Sequence, residues 1–287
     1  MTIFIHNDKI YHSHPLRASP EGHQMFIFDC HVHLPSPGLH YTWEWQPNTP
    51  DIPSAIRYLK RCGVGRILAN SVRGEIAQTI EEMVAGNDEI AQAAKCYPDY
   101  ITPACLVNAN YPDAAQKELE RCHQIYKMIR IGELCGYAGG YTYATPAFSD
   151  LVRLAIRLNM ILHIHNDNID DMERLGNEFP EATFVLAHLG DDPDQITRRV
   201  GLAASHPNLY LDICGNGFER MGVLEYAVRN VGPDRILFGS DFTINDPAGV
   251  IARIKHTNLD APTRQKILCG NLLHLLVKHN VILAENT

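Results

Sequence analysis

Asp29, His31 and His33 alternate at the end of an apolar run that begins at Phe26, in the order Phe26-Ile27-Phe28-Asp29-Cys30-His31-Val32-His33-Leu34. In an extended strand, side chains two residues apart point to the same face. The three polar side chains therefore share one face, while Phe28, Cys30 and Val32 share the other. Pro35, Pro37 and Gly38 stop the strand directly afterwards. Two imidazoles side by side at a strand end are placed to hold a divalent ion, and neutral ring nitrogen suits zinc and its first-row neighbours. A buried strand carrying two hydrogen-bonded core histidines is the plainer reading, and ligands elsewhere in the chain decide between the two.

Such ligands end other apolar runs. Glu133 stands in Arg130-Ile131-Gly132-Glu133-Leu134, His165 ends Ile161-Leu162-His163-Ile164-His165, His188 follows Val185-Leu186-Ala187, and Asp241 follows Phe238-Gly239-Ser240. Taken singly, His188 reads as a core histidine, Glu133 as a partner of Arg130 and Asp241 as a helix cap. As a set they are not expected from packing, because buried charge is costly unless it is paired or binds a metal. His163 and His165 also share a face. A two-residue step covers about 6.6 Å along a strand, so His165 reaches the strand end and His163 lies in the layer beneath.

The elements that must position these residues alternate regularly. Segments 52–62, 75–95 (continuous or broken at Gly86), 114–126, 146–159, 170–178, 194–205, 219–230, 247–256 and 262–279 have helical periodicity. Between them, 66–70, 100–107, 128–134, 161–165, 183–188, 209–214 and 235–238 read as strands. With the first, that makes eight strands, and strands alternating with helices imply a parallel sheet. The expected fold is α/β, a (β/α)8 TIM barrel spanning 25–287 as a single domain after a short N-terminal arm, 1–24, in which Ile3-Phe4-Ile5 suggests a brief strand. Functional residues of such barrels sit at the C-terminal strand ends. An open doubly wound sheet would want a glycine-rich phosphate turn after its first strand, and Pro35-Ser36-Pro37-Gly38 is not one.

The 287 residues are 45% hydrophobic and carry a net charge of −8. That composition supports a sizeable core, and the acidic balance argues against broad phosphate contacts with nucleic acid. The eight cysteines form no Cys-x-x-Cys pair and read as small buried hydrophobes in a reducing compartment. With no signal peptide legible and no apolar run long enough for a membrane, the expected location is the cytoplasm. Trp43 and Trp45 share the loop after the first strand, where indoles either wall a substrate pocket or pack the loop.

From Phe26 to about Leu276 this pattern resembles the metal-dependent amidohydrolase superfamily, and within it the amidohydrolase-related branch that includes aminocarboxymuconate-semialdehyde decarboxylase. Cys269-Gly270-Asn271-Leu272-Leu273-His274-Leu275-Leu276 is similar to the segment that commonly closes these barrels, with Leu272 in place of Ala. The resemblance implies one zinc held by His31, His33, His165 and Asp241, with manganese or another first-row ion as substitutes. Ile131-Gly132-Glu133 also resembles the strand-four carboxylate of the deoxyribonuclease branch, where it bridges two metals, so an inward Glu133 would allow a second ion with His188 as a ligand. The function expected is hydrolysis of a small-molecule amide, ester or lactone by activated water. Asp241 would act as the general acid–base and His188 as a hydrogen-bond donor, with Asp29 below the histidine pair. The alternative is non-oxidative decarboxylation of an aromatic or unsaturated acid. It needs a carboxylate clamp, for which Arg130, Arg73, Tyr137, Tyr141 and Tyr143 are candidates. Trp43, Arg130 and Tyr137 are the substrate-contact candidates. A barrel that has kept the fold as a non-catalytic scaffold is the third class, and it should bind no metal. The resemblance admits a homodimer, though no stretch of the chain specifies one.

Overall fold

The computed structural model describes residues 3–6, 9–12, 26–39, 50–165, 168–215 and 217–280. The first two segments pair as an antiparallel ribbon, β1 (Ile3–His6) with β2 (Lys9–His12), with Ile3 opposite His12. Most of the expected N-terminal arm, and Trp43 and Trp45, lie outside the described residues.

Eight parallel strands follow: β3 (Phe28–Leu34), β4 (Arg66–Ser71), β5 (Ile101–Pro103), β6 (Arg130–Leu134), β7 (Ile161–His165), β8 (Thr183–Ala187), β9 (Leu209–Asp212) and β10 (Ile236–Leu237). They run in sequence order as two sheets, β3-β4-β5 and β6 to β10. The bridge Cys105–Ile131 joins β5 to β6, and the bridge Val32–Phe242 brings the chain after β10 back to β3. Backbone bonds from Cys30 N to the Phe238 carbonyl and from Asp241 N to the His31 carbonyl, each 2.9 Å, reinforce that seam. Closure removes both sheet edges, and the architecture is the (β/α)8 barrel that the strand count implies.

The helices are α1 (Ile52–Arg61), α2 (Val72–Glu75), α3 (Ile80–Cys96), α4 (Pro112–Tyr126), α5 (Gly136–Gly139), α6 (Pro146–Arg157), α7 (Ile169–Glu178), α8 (Pro193–Ser205), α9 (Val223–Val231), α10 (Pro247–Lys255), α11 (Ala261–Gln265) and α12 (Asn271–Lys278). Many start by the same local rule. Asp51, Thr145, Asp192 and Asp246 cap α1, α6, α8 and α10 through their side chains, each with a proline in the first turn. The cap oxygen satisfies an orphan N–H, worth about 1 kcal/mol, and proline costs nothing where no N–H partner exists.

One open reading is decided and two expectations need correction. Gly86 does not break its helix, since α3 runs through it. A Cβ there would come within 2.4 Å of the Gly74 nitrogen, so the glycine lets α3 lie against α2. The third strand is shorter than 100–107 because Pro103 lacks an N–H and the ladder cannot continue through it. The last helix is not continuous. Residues 266–270 form a widened π turn between α11 and α12, and the Ile267 carbonyl in it accepts from Phe238 N at 3.0 Å.

Packing is layered. One cluster of buried side chains fills the space between strands and helices, and another, including Phe28, Leu68, Ile161, Val185 and Leu237, fills the barrel interior. Leu272, Leu275 and Leu276 of α12 belong to the inner cluster, so the C-terminal helix plugs the end opposite the strand C-termini. Asn271 pins that plug by donating to the carbonyls of Pro233 (2.7 Å) and Ile236 (2.8 Å). No described helix is long and apolar enough to cross a membrane. All eight cysteines are free, and six are buried.

His279 follows α12 and joins the barrel floor, with Nδ1 donating to the Asn159 carbonyl at 2.7 Å and Nε2 facing Thr183 Oγ1 at 3.1 Å. Burial lowers its pKa against the pull of the Asn159 carbonyl. The native state therefore refuses a proton that the unfolded chain accepts near pH 6.5, and stability falls as pH drops through that value. Urea unfolding of His279→Gln should show a shallower loss of stability between pH 7.5 and about 5.5 than the parent; equal slopes would remove His279 from this role.

Candidate metal centre

The six sequence-predicted ligands arrive from five strand ends, with His31 and His33 sharing β3, and the barrel brings all six together. His31 Nε2 and His33 Nε2 are 2.9 Å apart. Glu133 Oε2 lies 3.2 Å from the first and 3.5 Å from the second. Asp241 Oδ1 lies 3.6 Å and 3.2 Å from the same two nitrogens. The other oxygen of Glu133 faces a second group, with Oε1 2.9 Å from His165 Nδ1 and 3.4 Å from His188 Nε2. Those two imidazoles are 3.2 Å apart.

Local backbone explains how the side chains converge. Gly132 has φ +108°, and a Cβ there would sit 2.0 Å from the His163 carbonyl oxygen, so only glycine lets the chain turn Glu133 inward. His188 (φ 65°) and Asp241 (φ 58°) are both left-handed, an unfavourable conformation for residues with a Cβ. Strain of this kind gathers where a side chain must be aimed rather than packed.

These atoms fit a cation. His31 Nδ1 donates to Asp212 Oδ2 at 2.6 Å, so in the neutral ring Nε2 carries only a lone pair. Asp241 Oδ1 is buried with no hydrogen-bond partner, while Oδ2 accepts from Asn245 at 3.0 Å. Donor atoms sharing one zinc-sized ion at 2.0–2.2 Å lie roughly 3 to 3.5 Å from one another, which is the spacing observed. Charge gives the same answer. Glu75, Glu133, Asp212 and Asp241 are buried, and Arg130 is the buried guanidinium beneath them. Without a metal ion, protons must fill part of that deficit. Burial disfavours protonation of His33, but Glu75 and Asp241 outweigh it and raise its pKa to about 9.

The sequence did not single out the groups that hold these ligands from behind. Asp212 ends β9 as the other ligands end their strands, so the strand-end rule could have found it. Glu75, 2.5 Å from His33 Nδ1, comes from the short helix α2 and has no such signal. Cys214 Sγ lies 3.0 Å from His31 Nδ1 and 3.2 Å from His188 Nδ1. Asp29 is buried below the histidine pair as expected, yet it acts on backbone, accepting at Oδ1 from His31 N and Ser240 N, each at 3.0 Å. Burial pushes its pKa up to about 7.

The substrate-contact candidates separate. Tyr137 is exposed at the mouth, its ring edge-on to His165 with centroids 5.1 Å apart. Arg130 is not at the mouth. Its guanidinium is 1% exposed, donates to the Cys30 carbonyl and contacts His163 Nδ1 at 2.8 Å, so it lies beneath the ligands and cannot clamp a substrate carboxylate. Arg73 pairs with Glu89 at 2.6 Å. The Tyr143 hydroxyl is spent on the carbonyls of Leu134 and His165. A cavity of about 360 Å3 lies at the rim between the loops after β7 and β8, lined in part by Asn168, Asp191, Arg198 and Arg199. Arg199 donates to the His188 carbonyl at 3.1 Å.

The fold is thus a closed (β/α)8 barrel whose strand ends converge imidazoles and carboxylates on one candidate metal centre. The amidohydrolase family model matches residues 28–275, and the chain belongs to that family. Solved structures of the same fold include 2,6-dihydroxybenzoate decarboxylase from Rhizobium (17% identity, 88% of this chain and 99% of that one, TM-score 0.71). Others are 5-carboxyvanillate decarboxylase from Sphingomonas paucimobilis (13%, 88% and 98%, 0.72) and a manganese-bound dihydroxybenzoic acid decarboxylase from Polaromonas (17%, 90% and 98%, 0.72). No curated protein sequence matches the chain.

Zn2+ or Mn2+ added to chelator-treated protein should raise its thermal midpoint, corresponding to about 2.7 kcal/mol at one hundred times Kd. The Gly132→Ala protein, with Glu133 displaced, should gain less. An unchanged midpoint in the parent across both metals would contradict a cation site.

Proposed function

We propose that this chain is a metal-dependent hydrolase acting on an amide, ester or lactone bond of a small molecule. The observation that carries the reading is Glu133, whose two carboxylate oxygens face two separate donor groups, His31 and His33 on one side and His165 and His188 on the other. Zinc or manganese ions held by these residues and Asp241 would supply Lewis acidity, acidifying water and polarising a substrate oxygen.

The chain's own groups do the rest. Asp241 has one oxygen fixed by Asn245 and the other directed at the histidine pair, so it is placed to take the proton of an attacking water and return it to the leaving group. His188 sits at the edge of the donor set with part of its ring exposed, within reach of a substrate carbonyl. Tyr137 and the rim cavity give a small molecule a surface to rest on. Burial of His31, His33, Glu133 and Asp241 excludes bulk water and strengthens electrostatic contacts in the site.

Non-oxidative decarboxylation of an aromatic or unsaturated acid is the second reading, and the names of the solved neighbours weigh toward it. On that reading the clamp falls to the rim arginines Arg198 and Arg199, because Arg130 is buried below.

Elemental analysis and product analysis separate the two. Hydrolysis predicts about two metal ions per chain, reduced in Glu133→Gln, and heavy oxygen from labelled water in the product of an ester, lactone or amide panel. Decarboxylation predicts one ion and carbon dioxide release from a panel of hydroxylated benzoates. Under either, Asp241→Asn should lower kcat by at least ~100-fold; near-normal turnover would remove Asp241 from the chemistry.

A further inference from the structure

Beneath the metal donors runs a line of buried polar groups that barrel packing does not require. Asp212 Oδ2 is 2.6 Å from His31 Nδ1, 3.2 Å from His163 Nε2 and 3.2 Å from Cys214 Sγ, and Oδ1 accepts from Cys214 N at 3.0 Å. On the far side of His163, Nδ1 is 2.8 Å from the Arg130 guanidinium. Asp212, His31, His163 and Arg130 are each 1% exposed or less. Interiors of such barrels are ordinarily filled by branched apolar side chains, and a buried carboxylate and guanidinium are costly there.

The chemistry of the four groups leaves one arrangement. A guanidinium only donates, so His163 Nδ1 is the acceptor and the ring proton sits on Nε2, facing Asp212. A carboxylate only accepts, so the proton of His31 sits on Nδ1, also facing Asp212. His31 Nε2 is then bare and points at His33, Glu133 and Asp241.

We infer that Asp212, anchored by His163 and Arg130, is a positioning residue that fixes His31 as an Nε2 donor and increases its basicity toward a divalent cation. The inference rests on reading the strand-end cluster as a metal site. Carboxylates that hold the second nitrogen of a metal-binding imidazole typically change affinity 10–100-fold. Here the carboxylate faces an imidazole whose other nitrogen is in turn held by a guanidinium, so its orientation is set from the barrel floor. This gives Arg130 and His163 a function that does not require either to meet substrate.

The test is Co2+ binding to metal-free protein, read by visible absorption and by competition with a chelator. Asp212→Asn should stay folded by circular dichroism, bind Co2+ about 10–100-fold more weakly and show a changed absorption band. If Asp212→Asn does not fold, His163→Asn removes the N–H facing Asp212 while leaving all six proposed ligands, and it should weaken Co2+ by several-fold. Parent-like affinity and spectrum in whichever variant folds would overturn the assignment of Asp212. A parent protein that takes up no Co2+, Zn2+ or Mn2+ would overturn the metal reading itself, and the positioning role with it.

Discussion

The structure depends on a crowding of buried donor atoms that only protons or a cation among them can hold together. His31 Nε2, His33 Nε2, Glu133 Oε2 and Asp241 Oδ1 approach one another to between 2.9 and 3.6 Å in a site closed to bulk water. Bare ring nitrogens and carboxylate oxygens are lone-pair acceptors, and acceptors at that spacing repel unless a proton or cation lies among them. Much of the surrounding construction holds acceptors together against this force. Gly132 turns a carboxylate inward, Asp241 and His188 occupy left-handed backbone, and Asp212 and Glu75 lie behind the two histidines. A fold selected only for packing would replace such a cluster with apolar side chains.

The barrel is suited to this task because closure makes the strand ends converge. Six ligands come from β3, β6, β7 and the turns following β8 and β10, separated by up to about two hundred residues in sequence, yet each needs only to end its strand to reach the centre. The far end is treated oppositely. There α12 inserts leucines, and Asn271 ties it to the turn and strand around β10, so one end of the barrel is sealed and the other carries the ligands. The helical shell depends on cheap local signals, such as an aspartate or threonine cap followed by proline.

Family membership and site geometry constrain function at different depths. The amidohydrolase match establishes the family, and the fold-level neighbours, at 13–17% identity, share the barrel. The reaction is argued from the site. Glu133, with one oxygen toward each donor group, favours the two-ion hydrolytic reading, whereas the neighbours' chemistry favours decarboxylation. Arg130 illustrates why residue type alone does not settle such a question. A guanidinium suits a substrate carboxylate in principle, but this one is sequestered on the floor, where it bears on the ligands through His163 and Asp212.

By itself the sequence determined the eight-fold alternation of strand and helix, the strand-end positions of the six metal-ligand candidates and the placing of His163 below His165. Period-two and helical patterns, and the cost of burying charge, are local properties that the chain displays directly. Only the tertiary structure decided which groups stand behind the ligands. Glu75 on a one-turn helix and Asp212 on the seventh barrel strand meet the histidine pair because the barrel closes, and no spacing in the chain encodes that meeting. Tertiary contact likewise turned Gly86 from an apparent helix break into a point of close approach, and Arg130 from a substrate clamp into a buried anchor. A side chain's period gives the face it lies on; the partners across that face depend on how the whole sheet curves.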